Sequence, residues 1–232
     1  MNIDKIRRDQ CVLQEELIVV IDVIRAFTTA ALAFLQGADK IILVSKVKEA
    51  FLLKKKYPHA LLMGEDGGVP VKGFHFSNSP VELSKSQIKG ETLIQRTSSG
   101  TQGVVLNKRA GRILTASFAN AEATLKRIQA LKPQKVTFVI TGMTKGGDED
   151  VALADYLEKR LKAGGGSVDP EPYLERVKNS ASGQAFLSGA YAQFPKEDLR
   201  FCLDIDSAPF AMEVFAVDNE LVLRAVDADG RF

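Results

Sequence analysis

Cysteine, histidine and tryptophan are nearly missing from this 232-residue chain, which has two, two and none of them. Cys11 and Cys202 cannot build a disulfide framework, and thiolate zinc sites are not expected with so few sulfurs. Two free thiols suit a reducing compartment, so a cytoplasmic location is expected. His59 and His75 are too few for a histidine-rich metal centre, and a Ser-His-Asp hydrolase would have to use one of them. No apolar run approaches the ~20 residues of a membrane-spanning helix. The first residues, Met1-Asn2-Ile3-Asp4-Lys5-Ile6-Arg7-Arg8, run into charge and do not read as a signal peptide. Charge of one sign is lacking too: 31 basic against 29 acidic side chains leave +2. That balance gives no electrostatic footprint for nucleic acid or an anionic membrane. Any highly charged substrate then needs a local cluster of cations.

What is present is an ordinary globular mixture, 45% apolar and 26% charged, in a chain long enough to bury a core without staples. Short β-branched runs alternate with helical patterns. Strands are expected at 17–21, 40–44, 60–63, 92–95, 112–115 and 135–141. Helices are expected at 27–36, 47–57, 101–107, 120–131 and 150–162, with a short one opened by Ser79-Pro80. A Gly-rich loop covers 64–78, the segment 170–200 reads mostly helical, and 212–226 reads as a hairpin around Asp218-Asn219. This alternation predicts a single α/β domain over residues 1–232, a three-layer α/β/α sandwich on a largely parallel, mixed sheet.

In such folds ligands bind beyond the carboxyl ends of the strands, and polar residues collect at those ends. Asp22 closes an apolar strand, where an ionised carboxylate is costly unless a cation or hydrogen-bond donors satisfy it. It reads as a magnesium ligand or catalytic carboxylate, or else as a helix cap or the ion-pair partner of Arg25. Arg96-Thr97-Ser98-Ser99-Gly100-Thr101 joins a strand to a helix. Its hydroxyls and the free N–H groups of the helix start could cradle an anion, or form an ordinary capped turn. Glu65, in Gly64-Glu65-Asp66-Gly67-Gly68, could be a second metal carboxylate or part of a plain acidic turn. Asn78-Ser79-Pro80 is first a helix start and second a ligand contact. Ser117 and Asn120 follow another strand. Glu149-Asp150 opens a helix, where acids are favoured by the dipole alone, and could supply a metal ligand or general base. Lys145 could clamp an anion or be a solvated lysine.

Rival motifs are missing. There is no G-x-x-x-x-G-K-[ST] and no G-x-G-x-x-G after the first strand. Neither cysteine is followed six residues later by arginine. Asp204-Ile205-Asp206 imitates an aspartyl-phosphatase motif but stands too near residue 232 for the motifs that would follow. His75, between Phe74 and Phe76, reads as a partly packed loop histidine.

Taken together, the segments resemble the 2-phosphosulfolactate phosphatase (ComB-type) family. The matching stretches are Val20-Ile21-Asp22-Val23-Ile24-Arg25-Ala26 with Thr28, Gly64-Glu65, Gly73-Phe74, Asn78-Ser79-Pro80, Thr97 with Gly100-Thr101, Ser117-Phe118-Ala119-Asn120-Ala121 and Glu149-Asp150. The likeness runs from about residue 17 to 160; the C-terminal third matches loosely. The chain departs from the family pattern where His75 replaces an aspartate, Ser98-Ser99 replaces Thr-Asn, and Asp66 replaces a basic residue. The resemblance implies a Mg²⁺-dependent hydrolysis of 2-phosphosulfolactate to sulfolactate and phosphate, by a ComB-like α/β/α fold that forms a homodimer. A non-catalytic binding module for a small phosphorylated or sulfonated acid is the rival expectation. In the enzyme reading Asp22 and Glu65 hold the ion, which takes oxygen ligands and keeps several waters. Asp150 or Glu149 is a third ligand or orients water. The 97–101 turn and Arg25 hold the transferring phosphate, and Arg96 or Lys145 meets the substrate's other anionic group.

Overall fold

The computed structural model describes residues 1–10, 16–142, 148–164 and 166–232. Its strands are β1 (Asn2–Arg7), β2 (Leu17–Ile21), β3 (Lys40–Val44), β4 (Leu61–Asp66), β5 (Val69–Pro70), β6 (Thr92–Arg96), β7 (Arg112–Ala116), β8 (Lys135–Ile140), β9 (Ala211–Val217) and β10 (Glu220–Val226). The helices are α1 (Ala26–Leu35), α2 (Val47–Lys56), α3 (Pro80–Ser84), α4 (Gly100–Leu106), α5 (Ala121–Leu131), α6 (Asp148–Lys162), α7 (Glu171–Asn179), α8 (Ala181–Ser188) and α9 (Lys196–Leu203). A 3₁₀ turn at Phe118–Asn120 precedes α5.

The strands form one sheet in the order β1-β8-β2-β7-β9-β10-β3-β6-β4-β5. All five residues of β2 are buried, as a strand covered on both faces requires. On one face Leu17, Val19 and Ile21 pack with Phe138 and with side chains of α5 to α9, among them Leu125, Leu153, Leu174, Phe186 and Leu199. On the other, Ile18 and Val20 pack with Phe27, Ala30 and Val104 of α1 and α4. Helix α1 is buried from Ala26 to Phe34, the expected fate of a helix apolar all round.

The hairpin β9–β10 is inserted antiparallel to both neighbours, β7 and β3. It divides the sheet into two parallel sets of opposite direction, β1-β8-β2-β7 and β3-β6-β4. In a flat sheet their carboxyl ends would lie at opposite edges. Right-handed twist of roughly 20–25° per pairing accumulates to about 100–125° over the steps from β2 to β6, and turns the two sets of ends toward each other. The meeting is seen in contacts. Gln95 Nε2 donates to the Ala26 carbonyl at 3.0 Å, and α4, which follows β6, lies on β2. Glycine makes that approach possible: a Cβ at Gly103 would come within 2.7 Å of Val20 Cγ1, and one at Gly100 within 2.6 Å of Ala26 Cβ.

One local expectation is corrected, and one element was not expected. The charged N-terminal segment, for which no element was expected, is an edge strand, β1, paired in parallel with β8. The strand expected at 60–63 runs on to Asp66 and turns back as β5, so Glu65 sits on a strand and not in a loop.

Candidate active site

Asp22 lies one residue past β2 and is buried. Its Oδ1 accepts from the Ala26 amide, the first of α1, at 3.0 Å, although the N-cap residue of that helix is Arg25. Its Oδ2 faces Gly100, 2.9 Å from where a Cβ there would stand. Burial, and then the charges of Glu65 and Glu149, push the carboxyl up to about 6, against the pull of the Ala26 N–H.

Two more buried acids come from the start of α6. Asp150 ties strand ends together: Oδ1 accepts from Val23 N at 2.8 Å and Oδ2 from Gly142 N at 2.9 Å. Burial, Asp22 and Glu149 hold its carboxyl well above the usual carboxylate range. Glu149 Oε1 accepts from Ser182 Oγ at 2.7 Å, while Oε2 is buried with no hydrogen-bond partner among the described residues. Three neighbouring acids with no arginine or lysine paired to them among the described residues form an electrostatically unbalanced centre.

Arg25 does not pair with Asp22. Its Nη1 reaches Asp198 Oδ2 at 2.6 Å, and its guanidinium lies 4.8 Å from the Phe186 ring centroid and 5.6 Å from that of Phe194. Asp198, fully buried on α9, also accepts from Ser79 Oγ at 2.7 Å and Val81 N at 3.1 Å. Ser79 in turn caps α3 by accepting from Glu82 N. Beside it, Asn78 is buried, its Oδ1 without a partner among the described residues. The C-terminal helices therefore hold the arginine in place, and Asp198 was not singled out by the sequence because it stands among charged residues of an amphipathic helix.

Glu65 forms the opposite wall. It accepts from the Ser98 amide, from Ser98 Oγ at 3.0 Å and from Gly68 N at 2.6 Å. Arg96 braces this wall through the Glu65 carbonyl at 2.6 Å, Asp66 Oδ1 at 2.8 Å, Ser98 Oγ at 3.1 Å and the Ser45 carbonyl at 3.2 Å. Within the turn, Thr97 Oγ1 accepts from Thr101 N at 3.0 Å, and Thr101 Oγ1 accepts from Thr97 N and donates to the Thr97 carbonyl. These two hydroxyls serve the capped turn. Ser99 stands at the N-cap position of α4 without a side-chain capping bond. Arg8, which the sequence reading passed over, donates from Nη1 to the Ser98 carbonyl.

The remaining residues fall elsewhere or into local roles. Asn120 Oδ1 accepts from Ser117 N and Nδ2 donates to the Thr115 carbonyl, shaping the turn before α5. His75 Nδ1 accepts from Leu62 N at 3.0 Å, and burial and Lys54 shift the imidazole toward its neutral form. The departure at 75 thus fixes β4 and not the acid cluster. Burial pushes the Cys202 thiol far up, so it is no thiolate nucleophile. Lys145 and Cys11 lie outside the described residues. A groove of about 620 Å³ lined by Leu52, Leu53, Val105 and Leu221 contains none of the cluster acids; chemistry, and not volume, marks the site.

Comparison with known proteins places the chain among named relatives. Residues 4–215 match the sequence profile described as 2-phosphosulpholactate phosphatase. A Bacillus subtilis protein described as a probable 2-phosphosulfolactate phosphatase is 34% identical over 84% of this chain and 86% of its own. Proteins of the same description from Carboxydothermus hydrogenoformans and Thermotoga maritima are 36% and 38% identical. They are matched over 80% and 70% of this chain and over 73% and 71% of their own. Among the described residues, no helix is long and apolar enough to cross a membrane.

Proposed function

The chain belongs to the 2-phosphosulpholactate phosphatase family, with relatives described as probable 2-phosphosulfolactate phosphatases, and from that premise we propose a magnesium-dependent phosphatase. Its substrate is 2-phosphosulfolactate or a related 2-phospho-hydroxyacid, and its products are the hydroxyacid and phosphate. The observation that carries this reading is the buried acid cluster of Asp22, Glu149 and Asp150, with one Glu149 oxygen left without a partner among the described residues.

Magnesium fits the donors present, which are all oxygens. Among the described residues no group of three or more His, Cys, Asp or Glu side chains forms a ready cage. A magnesium ion does not need one, because it keeps several waters and takes one or two carboxylates plus phosphate oxygens. Asp22 and Glu65 would hold it, Asp22 through Oδ2 and Glu65 through the acceptor capacity its three donors leave. When bound, the ion neutralises phosphoryl oxygens and balances the cluster's charge.

The protein's own groups supply the rest. Arg25 is buried yet gives only Nη1 to Asp198, so its other N–H donors are available to the phosphoryl oxygens as charge spreads over them. Glu149 orients the attacking water and takes its proton at Oε2, while Ser182 fixes the other oxygen. Asp150 holds the ends of β2 and β8 in register. Gly100 lets the start of α4 come close against Asp22, since a Cβ there would stand only 2.9 Å from Asp22 Oδ2.

The test is phosphate release from 2-phosphosulfolactate and from other phosphorylated 2-hydroxyacids, with magnesium and after its removal by chelation. The reading expects turnover that depends on added magnesium; release unaffected by chelation, or no release from any of these esters, overturns it.

A further inference from the structure

The acid cluster and Glu65 place four carboxylates around a site that has to admit an anion, and the nearby cations are mostly committed. Arg25 pairs with Asp198 and Arg96 with Asp66. Arg8 is different. Lys5, on the same strand, pairs with Asp155 and Glu158, but Arg8 has no acidic partner among the described residues. It uses one of its five N–H donors, on the Ser98 carbonyl.

Register places Arg8 beside the cluster. Arg7, Ile140 and Ile21 lie in one row across β1, β8 and β2, and the Arg8 amide continues the ladder to the Ile140 carbonyl at 3.0 Å. One residue on, the row becomes Arg8, Thr141 and Asp22. It continues the face on which Ile6, Val139 and Val20 pack with α1 and α4. Two strand spacings put the Arg8 backbone roughly 10 Å from that of Asp22. Its half-buried side chain leans toward the turn at Ser98.

Arg8 and Arg25 reach the cluster from different sides. Arg25 lies against Phe186 of α8, the helix whose Ser182 holds Glu149, so it stands with the groups assigned to phosphoryl transfer. Arg8 lies with Ser98, which is bound to Glu65. We infer that Arg8 is a specificity-determining residue. Its unused guanidinium donors receive a second anionic group of the substrate, one that is not transferred. This rests on the phosphatase reading of the site.

The experiment uses two esters that differ by one carboxylate, O-phosphoglycolate and ethyl phosphate. Binding is read by titration calorimetry and turnover by phosphate release, for the wild type, Arg8→Ala and Arg8→Lys. The wild type should prefer phosphoglycolate. Arg8→Ala should cut that preference about tenfold or more, mainly through KM and Kd and less through kcat, and Arg8→Lys should restore part of it. A preference unchanged in Arg8→Ala, or absent from the wild type, overturns the inference. If the wild type binds phosphoglycolate without releasing phosphate, the phosphatase reading fails while the binding ratio still decides the role of Arg8. Thermal midpoints of the three proteins should agree closely, because the backbone bond to Ile140 does not need the side chain. A collapse of Arg8→Ala with loss of both ligands would mark a structural role and also overturn the inference.

Discussion

Glu213, in the middle of the sheet, and Asp22, at its rim, are equally hidden from solvent, at 2% and 4% exposure. Their surroundings are opposite. Glu213 receives Arg127 Nε and Nη2 at 2.9 and 2.8 Å and Arg112 Nη1 at 2.6 Å. Asp22 receives one backbone amide and faces the charges of Glu65 and Glu149. Burial is therefore common to a structural carboxylate and to one proposed as functional, and the balance of charge separates them. Asp198, with its arginine, hydroxyl and amide, belongs with Glu213. Asp22 and Glu149 belong to a cluster with no arginine or lysine paired to it among the described residues.

Neutralising each kind of acid should give opposite results. The largest effect is expected for Asp22→Asn, which should lower magnesium-supported phosphate release about a thousandfold and raise the thermal midpoint in metal-free buffer. Retained turnover would remove Asp22 from the chemistry. Glu213→Gln should leave two arginines under-compensated and cost about 3–5 kcal/mol in urea unfolding, and a neutral outcome would break the contrast. Glu149→Gln should lower kcat about a hundredfold if the side chain takes a proton, with circular dichroism unchanged. Gly100→Ala should cost roughly 1–3 kcal/mol by overpacking, because its Cβ would meet Ala26 Cβ and Asp22 Oδ2; a thermal melt measures it.

The smallest effect concerns pH. Asp22 has its carboxyl raised to about 6 in the folded protein, above the ordinary value near 3.9. The folded state then binds the proton more tightly, so this contribution to stability is full below about pH 4 and is lost as pH rises through about 6. Unfolding free energies of the metal-free wild type minus those of Asp22→Asn should fall across that window. A flat difference would contradict the stated cause of the shift.

Much of this arrangement could be read from residue order. Asp22 was visible because it ends a fully apolar strand, and β2, β8 and α6 were visible because their apolar periods are strong. Strand β1 was not, since Asn2-Ile3-Asp4-Lys5-Ile6-Arg7 has only two apolar residues and its place is set by pairing with β8. Arg8 was hidden with it. The opposed directions of the two strand sets depend on which strands flank the hairpin β9–β10, a long-range choice that local patterns do not carry. Asp198 was hidden for a related reason: one acid among the charges of α9 looks solvated until Arg25 and Ser79 arrive from distant segments.

In the proposed reading Asp22, Glu149 and Asp150 lack a positive charge that a divalent ion would supply. Titrating magnesium into the wild type, Asp22→Asn and Glu213→Gln, with heat and thermal midpoint recorded, tests it most directly. Saturable binding and a raised midpoint are expected in the wild type, both lost in Asp22→Asn and both kept in whatever Glu213→Gln protein folds. Equal magnesium binding by wild type and Asp22→Asn, or none by either, would contradict it.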